Sequence, residues 1–214
     1  MSKLSHNARR ELLTLGRPVV TSAGMPLVHQ GEHRTYFTLI LAGLVKVSID
    51  ADNGTSALLG LRGPGELLGE LDGQPSYTTV TTVQETIVRH ITRKEFLAFL
   101  SLYPEATIAL LQVINNRLRQ SDQRRLDLTA YPAVVRLARI LVELADSHGT
   151  WRGEELHTGI AISQPDLASL AGVSLPTAEK ALAQLQSRNI LTRRYRSISV
   201  PDLERLRLVA EHGL

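Results

Sequence analysis

The strongest constraint on the fold is a change in the spacing of apolar residues at Thr92. Residues 18–92 form short runs rich in Val, Thr and Leu, and turn pairs such as Asp72-Gly73 separate these runs. Short strands divided by frequent turns are typical of a small antiparallel barrel or sandwich. After Thr92 the spacing becomes helical, and Thr92 with Glu95 has the pattern of a capping box. The pattern predicts an α+β chain whose β-part comes first.

A long segment without helix breakers begins at Pro104 and ends near Ala130. Some of its residues lie at alternating spacings of three and four, as in the seam of a two-stranded coiled coil. These residues are Leu111, Ile114, Leu118, Ser121, Arg125 and Leu128. The same spacing suits one amphipathic helix packed on the β-part, but the segment is longer than an average globular helix. We therefore expect a dimer helix, followed by an inter-domain hinge at Tyr131-Pro132.

Residues 162–200 have the pattern of a helix-turn-helix followed by a β-hairpin. Ser163 is a candidate N-cap of the first helix, Gly172 supplies the turn, and Ser174 is a candidate N-cap of the second helix. The inner face of the second helix is predicted to consist of Ala178, Ala181, Leu182 and Leu185. Its outward face, which would meet base edges or phosphates, carries Leu175, Thr177, Glu179, Lys180 and Gln184.

Two short strands, Ile190-Leu191-Thr192 and Ile198-Ser199-Val200, predict a wing with arginines at its tip. From Pro176 to Arg196 there are five cations and one anion, a local charge of +4, whereas the whole chain carries only +3. Such a local excess is typical of phosphate binding. The predicted DNA contacts are Ser163, Gln164, Ser174, Leu175, Thr177, Lys180, Arg188, Arg193, Arg194 and Arg196. A protein–protein module with a solvated basic tip is the alternative.

Composition and missing motifs narrow the class of protein. The 214 residues include no cysteine, which excludes disulfides, thiolate metal sites and iron–sulfur clusters. The first residues lack the apolar core of a secretory signal, and no apolar run approaches the ~18 residues of a membrane-spanning helix. We expect a cytoplasmic protein without a membrane partner. No Gly-rich phosphate loop, HExxH or GxSxG motif is present, so an enzyme is not expected.

The sequence resembles the CRP/FNR family of bacterial transcription regulators along nearly its whole length. Three segments, Ala23 to Glu32, Ala42 to Val47 and Pro64 to Glu70, match motifs of the family's cyclic-nucleotide-binding-type β-roll. The segment from Ile162 matches the family's winged helix-turn-helix. Each motif alone is modestly specific, but their common order along the chain is highly specific.

The resemblance implies three parts in each protomer. They are a jelly-roll-like antiparallel β-roll sensor domain over residues 1–103, a dimerisation helix over 104–130 and a winged helix-turn-helix DNA-binding domain over 131–214. The resemblance also implies a homodimer on a palindromic operator in double-stranded DNA, and contact with RNA polymerase.

The family's nucleotide pocket pairs a Gly-Glu with a downstream Arg-Ser that takes the phosphate. By resemblance, the pocket positions here are Gly69, Glu70, Leu71, Ser76, Tyr77, Thr78, Ser121 and Asp122. The Arg position falls on Ser76, and no Lys or Arg occurs from Gly63 to Val88. A buried cyclic phosphodiester would then be an unpaired charge costing several kcal/mol, unless Arg62 or Arg89 reaches in.

We therefore expect a regulator that does not respond to cyclic AMP. The alternative is a regulator whose DNA binding is switched by a cyclic nucleotide or another small effector. Two other classes stay open: a ligand-binding module in which DNA binding is secondary, and an enzyme whose β-part holds a substrate beside Glu70.

Two further features bear on ligand and operator. His29, His33 and His90 lie in the β-part, but a lone His on a strand is more often solvated or part of the core, so haem is not expected.

On the second helix, Leu175, Pro176 and Lys180 replace the Arg-Glu pair and the later Arg of the cyclic-AMP-responsive members. Leu175 can contact only a thymine methyl, and Pro176 has no donor, so a different operator sequence is predicted.

Overall fold

The computed structural model describes residues 4–152, 155–157, 162–194 and 197–213. The chain divides into two compact units, Met1–Gln120 and Ser121–Leu214. The helix Pro104–Ala130, which has the bounds expected from the sequence, contributes residues to both units. The sequence, in contrast, predicts this helix as a separate element between two domains.

The described part of the first unit, from residue 4, contains two antiparallel sheets and three helical segments. The strands are β1 (Arg17–Thr21), β2 (Pro26–Val28), β3 (Tyr36–Ala42), β4 (Val45–Asp50), β5 (Ser56–Arg62), β6 (Leu67–Leu68), β7 (Thr79–Thr82) and β8 (Thr86–Thr92). The helices are α1 (His6–Thr14), α2 (Arg93–Leu102) and α3 (Pro104–Ala130), of which residues 104–120 belong to this unit. One sheet has the order β1-β8-β3-β6 and the other β2-β7-β4-β5. The predicted antiparallel β-roll is confirmed.

The sheet β1-β8-β3-β6 is apolar on both faces, because strand β3 alternates between two cores. Ile40 packs with Val28, Val45 and Val88 in one cluster, and Leu68 is part of the same cluster. Phe37 and Leu39 belong to a second cluster that also contains Phe96 and Phe99 of α2, Ala8 and Leu12 of α1, and Ala106 of α3. The helices therefore cover the outer face of this sheet.

The capping box predicted at Thr92 begins helix α2. The Thr92 Oγ1 accepts a hydrogen bond from Glu95 N at 3.2 Å, and Glu95 Oε2 accepts one from Thr92 N at 2.9 Å. Hydrogen bonds from the Thr92 side chain and backbone lower the pKa of Glu95. A local pairing within four residues thus ends the last strand of the sheet and begins the helix.

In the described ranges of the second unit, the end of α3 is combined with four further helices and a small sheet. These elements are α4 (Ala133–His148), β9 (Thr150–Arg152), β10 (Glu155–His157), α5 (Gln164–Leu170), α6 (Leu175–Ser187), β11 (Thr192–Arg194), β12 (Ser197–Val200) and α7 (Leu203–His212). The antiparallel strands have the order β11-β12-β10-β9. Leu137, Leu141, Leu167, Leu182 and Leu206 are among its fully buried side chains.

The first wing strand begins two residues later than the sequence predicts, at Thr192 instead of Ile190. Asn189 follows α6 in the left-handed region, with φ 55°. The amides of Asn189 and Ile190 donate to the carbonyls of Gln186 and Leu185, both at 3.0 Å. This is the hydrogen-bonding pattern of a Schellman motif. The chain then buries Ile190 and Leu191 in the core before it enters the sheet, so these residues end a helix instead of beginning a strand.

Ion pairs join the end of α3 to α4 on either side of the predicted hinge. Arg124 Nη2 lies 2.9 and 3.1 Å from the two carboxylate oxygens of Glu143. Arg139 Nη1 lies 2.8 Å from Asp127 Oδ1, and its guanidinium carbon is 3.9 Å from the centre of the Tyr131 ring. These contacts hold residues 121–130 and α4 together within the second unit.

Among the described residues, no single helix has the length and apolar composition needed to cross a membrane. Helices α2 and α3, which are bent by 111° at their junction, meet that criterion only when they are taken together.

Candidate DNA interface and effector pocket

The helix-turn-helix predicted around Gly172 is formed by local hydrogen bonds. Ser163 Oγ accepts from Asp166 N at 3.2 Å and caps α5. After α5, Gly172 adopts φ 60°, and the amides of Gly172 and Val173 donate to the carbonyls of Ser169 and Ala168. The positive φ favours glycine, because a β-carbon is strained in this conformation. The turn therefore needs glycine at this position.

Helix α6 has the two faces expected of a recognition helix. Ser174 Oγ accepts from Thr177 N at 3.4 Å and caps it. The four residues predicted for the inner face are all buried: Ala178, Ala181, Leu182 and Leu185. The five residues predicted for the outward face are all exposed: Leu175, Thr177, Glu179, Lys180 and Gln184. The sequence thus gives the correct rotation of this helix.

Two of the predicted cations, Arg188 and Arg193, lie at the C-terminal end of α6 or contact it. Arg188, the C-cap residue, is exposed, and Arg193 Nε donates to Gln186 Oε1 at 2.6 Å. The backbone of Arg194 lies in β11 opposite Ser197, and Arg196 lies outside the described residues. Gln164 is the half-buried first residue of α5. Of the predicted contacts, Ser163 and Ser174 already use their hydroxyls as caps.

The predicted dimer stripe on α3 is exposed along its length. Leu111, Ile114, Leu118 and Leu128 each expose between 43% and 58% of their surface. Ser121 and Arg125 are also exposed. Apolar side chains of this size and spacing on one helix face are typical of a surface that a second helix covers.

Leu128 has an additional contact that the stripe does not predict. A β-carbon built on Gly172 would come too close to Leu128 Cδ2, so the Leu128 side chain lies against the turn between α5 and α6. Arg136 Nη1 donates to the Gly172 carbonyl at 3.2 Å and supports the same turn. Within the second unit, the end of the predicted dimer helix therefore contacts the helix-turn-helix directly.

The structure brings some of the residues predicted for the effector pocket close together. Tyr77 N donates to Glu70 Oε1 at 3.4 Å, so Glu70 lies beside the segment that carries the family's Arg-Ser position. Ser76 is buried and its Oγ donates to the Thr78 carbonyl at 2.9 Å. Gly69 and Leu71 flank Glu70 and are exposed, whereas Ser121 and Asp122 are exposed residues of the second unit. The carboxylate and the Ser76 hydroxyl thus have partners within the loop.

The two flanking arginines, Arg62 and Arg89, bind groups outside this loop. Arg89 donates to the carbonyls of Thr14, Leu15 and Gly16, at 2.7 to 3.2 Å, and so satisfies the end of α1. Arg62 Nε lies 3.5 Å from Glu66 Oε1, and its Nη1 donates to the Leu61 carbonyl. Three carbonyls therefore already accept hydrogen bonds from the Arg89 guanidinium.

Arg93 is a cation beside this loop that sequence reasoning missed. A β-carbon built on Gly73 would lie 2.9 Å from Arg93 Nη1. This atom is buried and has no hydrogen-bond partner within the described part of the chain. Arg93 lies beyond the cation-free segment from Gly63 to Val88, and no local pattern predicts that the first residue of α2 returns to this loop.

His90 is part of a polar cluster on the sheet β1-β8-β3-β6. Its Nδ1 lies 3.2 Å from Thr38 Oγ1, and its ring centre lies 4.3 Å from that of Tyr36. Burial, together with the guanidinium groups of Arg34 and Arg17, lowers the pKa of His90. His29 and His33 are exposed. Within the described residues, no group of three or more His, Cys, Asp or Glu residues is arranged to hold a metal ion.

The lowered pKa of His90 predicts a dependence of stability on pH. The unfolded chain binds a proton near pH 6.5, whereas the folded chain binds it only at lower pH. Because the unfolded state then binds more protons, the free energy of unfolding is expected to fall as the pH drops from 7 towards 5. His90→Gln should show a smaller fall over the same range.

Urea unfolding at several pH values, followed by circular dichroism, measures this difference. His29→Gln, which changes an exposed histidine of the same unit, is the control and should behave as the wild type. Identical pH profiles for wild type and His90→Gln would show that His90 does not couple protonation to folding.

Comparison with known proteins places both units in one family. A cyclic nucleotide-binding domain model matches residues 18–103, and a Crp-like helix-turn-helix domain model matches residues 135–209. The CRP-like cAMP-activated global transcriptional regulator of Mycobacterium tuberculosis is 31% identical over 193 residues, which cover 89% of this chain and 86% of that protein. The cyclic AMP receptor protein of Thermus thermophilus is 29% identical over 173 residues, or 78% and 76% of the two chains.

A solved structure has the same fold over nearly the full length. FixK2 from Bradyrhizobium japonicum aligns with a TM-score of 0.78 at 20% identity, covering 90% of this chain and 96% of its own. Three observations point to the same family. They are the order of β-roll, long helix and winged helix-turn-helix, the outward face of α6, and the identity to the mycobacterial regulator. The chain belongs to the CRP/FNR family of transcription regulators and carries that family's DNA-binding helix-turn-helix.

Proposed function

We propose that this protein binds a palindromic operator as a homodimer, has no enzymatic activity, and is not controlled by cyclic AMP. The observation that carries the DNA-binding part is the outward face of α6, where every predicted contact is exposed beside a local charge of five cations against one anion. Exposed cations around a recognition helix bind phosphates, and the side chains between them read base edges.

The homodimer is supported by the stripe on α3. Leu111, Ile114 and Leu118 are exposed apolar residues at the spacing of a coiled-coil seam. A two-fold dimer presents one α6 to each half-site, which is why such proteins bind palindromes whose half-sites are about one helical turn apart. Contact with RNA polymerase is proposed from family membership alone.

Independence from cyclic AMP is supported by the chemistry of the predicted pocket. The Arg position of the family is Ser76, whose hydroxyl already donates to the Thr78 carbonyl. Arg62 and Arg89 are held by Glu66 and by the end of α1. A buried phosphodiester without a cation costs several kcal/mol, which is comparable with the binding energy of a small ligand.

A second candidate function is a regulator whose DNA binding a cyclic nucleotide switches on. The names of the mycobacterial and Thermus relatives favour it, since both refer to cyclic AMP. The buried Nη1 of Arg93, which lies against Gly73, is the observation in this chain that favours it. In this case Arg93 would supply the charge that Ser76 lacks.

Selection of operators from random duplex DNA separates the two candidates. The purified full chain is used without nucleotide, with cyclic AMP and with cyclic GMP. We expect the same palindrome in all three conditions, and no heat of cyclic AMP binding by calorimetry. A palindrome that appears only with nucleotide would establish the second candidate, and Arg93→Met should then abolish the response. Recovery of no enriched sequence in any of the three conditions would contradict both candidate functions.

A further inference from the structure

One row of side chains crosses the sheet β1-β8-β3-β6 at the level of His90. Arg17 of β1 and Thr38 of β3 are the register partners of His90 on its two neighbouring strands. Leu68 of β6 is the register partner of Thr38. Directly opposed residues of antiparallel strands lie on the same face of a sheet. The row therefore places a guanidinium, an imidazole and a hydroxyl group side by side on one face.

Arg34, which precedes β3, adds a second guanidinium to this row. Its Nη1 donates to Thr38 Oγ1 at 3.4 Å, and its guanidinium carbon lies 5.4 Å from the centre of the Tyr36 ring. The Tyr36 ring in turn lies 4.3 Å from the His90 ring, measured between ring centres. These contacts hold the Arg34 side chain beside His90. Together, Arg17, Arg34, Tyr36, Thr38 and His90 form the His90 cluster.

The charges of the His90 cluster are cationic and have no acid to balance them. Within the described residues, neither Arg17 nor Arg34 lies at ion-pair distance from a carboxylate. Burial and these two guanidinium groups lower the pKa of His90. The acid beside the start of β1 is Glu95, whose carboxylate accepts hydrogen bonds from the start of α2 and from the Gly16 backbone. Glu95 thus has partners of its own outside the cluster.

The His90 cluster keeps N–H donors that solvent can reach. The Nδ1 of His90 lies 3.2 Å from Thr38 Oγ1, which leaves Nε2 as the second ring nitrogen. Arg34 makes its hydrogen bond to Thr38 through Nη1, and Arg17 is exposed. In the described part of the chain, none of the buried nitrogen atoms that lack a partner belongs to Arg17, Arg34 or His90. The remaining donors of the cluster are therefore accessible to a ligand from solution.

This arrangement of donors matches the chemistry of an oxyanion. Guanidinium groups form short, charge-assisted hydrogen bonds with the oxygens of anionic groups. An oxyanion with several oxygens and two negative charges can accept from more than one cation at once. We propose that the His90 cluster binds a tetrahedral oxyanion dianion such as sulfate or phosphate, with its oxygens at Arg17, Arg34 and Nε2 of His90.

Binding of the oxyanion and protonation of His90 would favour each other. The anion offsets the repulsion between the imidazolium and the two guanidinium groups, so the charged form of His90 is favoured when the anion is bound. Because such coupling is reciprocal, the affinity for the anion rises as the pH falls through the pKa of His90. The site lies in the first unit and needs no DNA, so the inference does not depend on the proposed function.

Calorimetry with sulfate tests the proposal on the full chain without DNA. Sulfate is the probe because it keeps both charges over the range in which histidine titrates. We expect saturable binding that is about tenfold tighter near pH 5.5 than near pH 8. Absence of saturable sulfate binding would overturn the proposal.

Sodium chloride at the same ionic strength is the control for simple screening of charge. An NMR titration of the histidine rings follows the pKa of His90, whose signal is assigned with His90→Gln. We expect sulfate to raise the pKa of His90 more than chloride does, because sulfate contacts the cluster and chloride only screens it. Equal effects of the two salts would show that no oxyanion site is present.

Methyl phosphate separates a free ion from a phosphate group that a small molecule carries. Its affinity is compared with that of inorganic phosphate near pH 8, where both are dianions. A site for the free ion should bind methyl phosphate less tightly, because the methyl group occupies one of the four oxygens. Equal affinities would assign the site to a carried phosphate group, and binding of neither would contradict the proposal.

Variants with matched controls locate the anion. Arg17→Gln and Arg34→Gln should each weaken sulfate binding about tenfold, whereas Arg9→Gln, which removes an exposed cation of α1, should not. His90→Gln should remove the dependence of sulfate affinity on pH, whereas His29→Gln should keep it. Thermal unfolding without sulfate checks that each variant is folded. Wild-type affinity in both folded arginine variants would place the anion elsewhere, and a retained pH dependence in His90→Gln would refute the role of His90.

Discussion

Leu118→Glu is expected to give a folded monomer whose affinity for the selected operator is lower by a factor of about 10³. Leu118 lies in the middle of the exposed stripe of α3 and exposes 58% of its surface in the single chain, so the fold of the protomer does not depend on it. In a coiled-coil dimer, two Leu118 side chains would pack together, and two glutamates there would bring like charges into an apolar seam. Loss of the dimer removes the second half-site contact, which supplies most of the affinity of a bivalent binder.

Sedimentation equilibrium and fluorescence anisotropy with labelled operator measure the two effects. Gln112→Glu makes the same charge change on an exposed position of α3 outside the stripe, and it should remain dimeric with wild-type affinity. A dimeric Leu118→Glu variant with unchanged operator affinity would show that the stripe is not the dimer seam. The stripe would then have another partner.

Lys180→Ala is expected to weaken operator binding by about 10- to 100-fold, and to do so mainly at one base pair of each half-site. Lys180 is exposed on α6, between the buried Ala178 and Ala181, and so projects from the face opposite the core. A lysine at such a position reads guanine through its O6 and N7 atoms. The variant should therefore tolerate a changed base at that pair better than the wild type does.

Arg188→Ala is the informative comparison. Arg188 lies exposed at the C-cap of α6, near Arg193, and we expect it to contact phosphate. Its loss should weaken binding to all sequences equally and reduce the salt slope by about one. Arg9→Ala, an exposed cation of α1, should change neither quantity. Equal and sequence-independent losses for Lys180→Ala and Arg188→Ala would make Lys180 a phosphate contact and refute its role in base reading.

Local features of the fold could be read from the sequence because they depend on a few neighbouring residues. The capping box at Thr92, the caps at Ser163 and Ser174 and the turn at Gly172 each involve groups at most five residues apart. The rotation of α6 follows from its own apolar periodicity. The same reasoning failed at Ile190 and Leu191, where the short run Ile190-Leu191-Thr192 suggested a strand, but both residues are buried directly after the left-handed Asn189.

The effector side of the protein could be predicted only in part. The positions of Glu70 and Ser76 came from motif resemblance, and the structure places them in one loop with Tyr77. The surroundings of Arg89 and Arg93 come from segments 20 or more residues away: Arg89 binds the end of α1, and Arg93 lies against Gly73. The contact of Leu128 with Gly172 likewise joins distant parts of the chain. Long, flexible side chains of this kind have no periodicity that indicates where they end.

By itself the sequence determined the order of the parts, the bounds of α3, the N-terminal ends of α2, α5 and α6, and the face of α6 that is exposed. These properties follow from hydrogen bonds and apolar spacing within a few turns of chain, which act in the same way in any tertiary context. Only the tertiary structure decided that Arg93 lies beside Gly73 of the pocket loop and that Arg89 satisfies the end of α1. Those outcomes depend on packing between segments far apart in sequence, where a difference of a few ångströms decides whether a charge is paired and whether a space is filled.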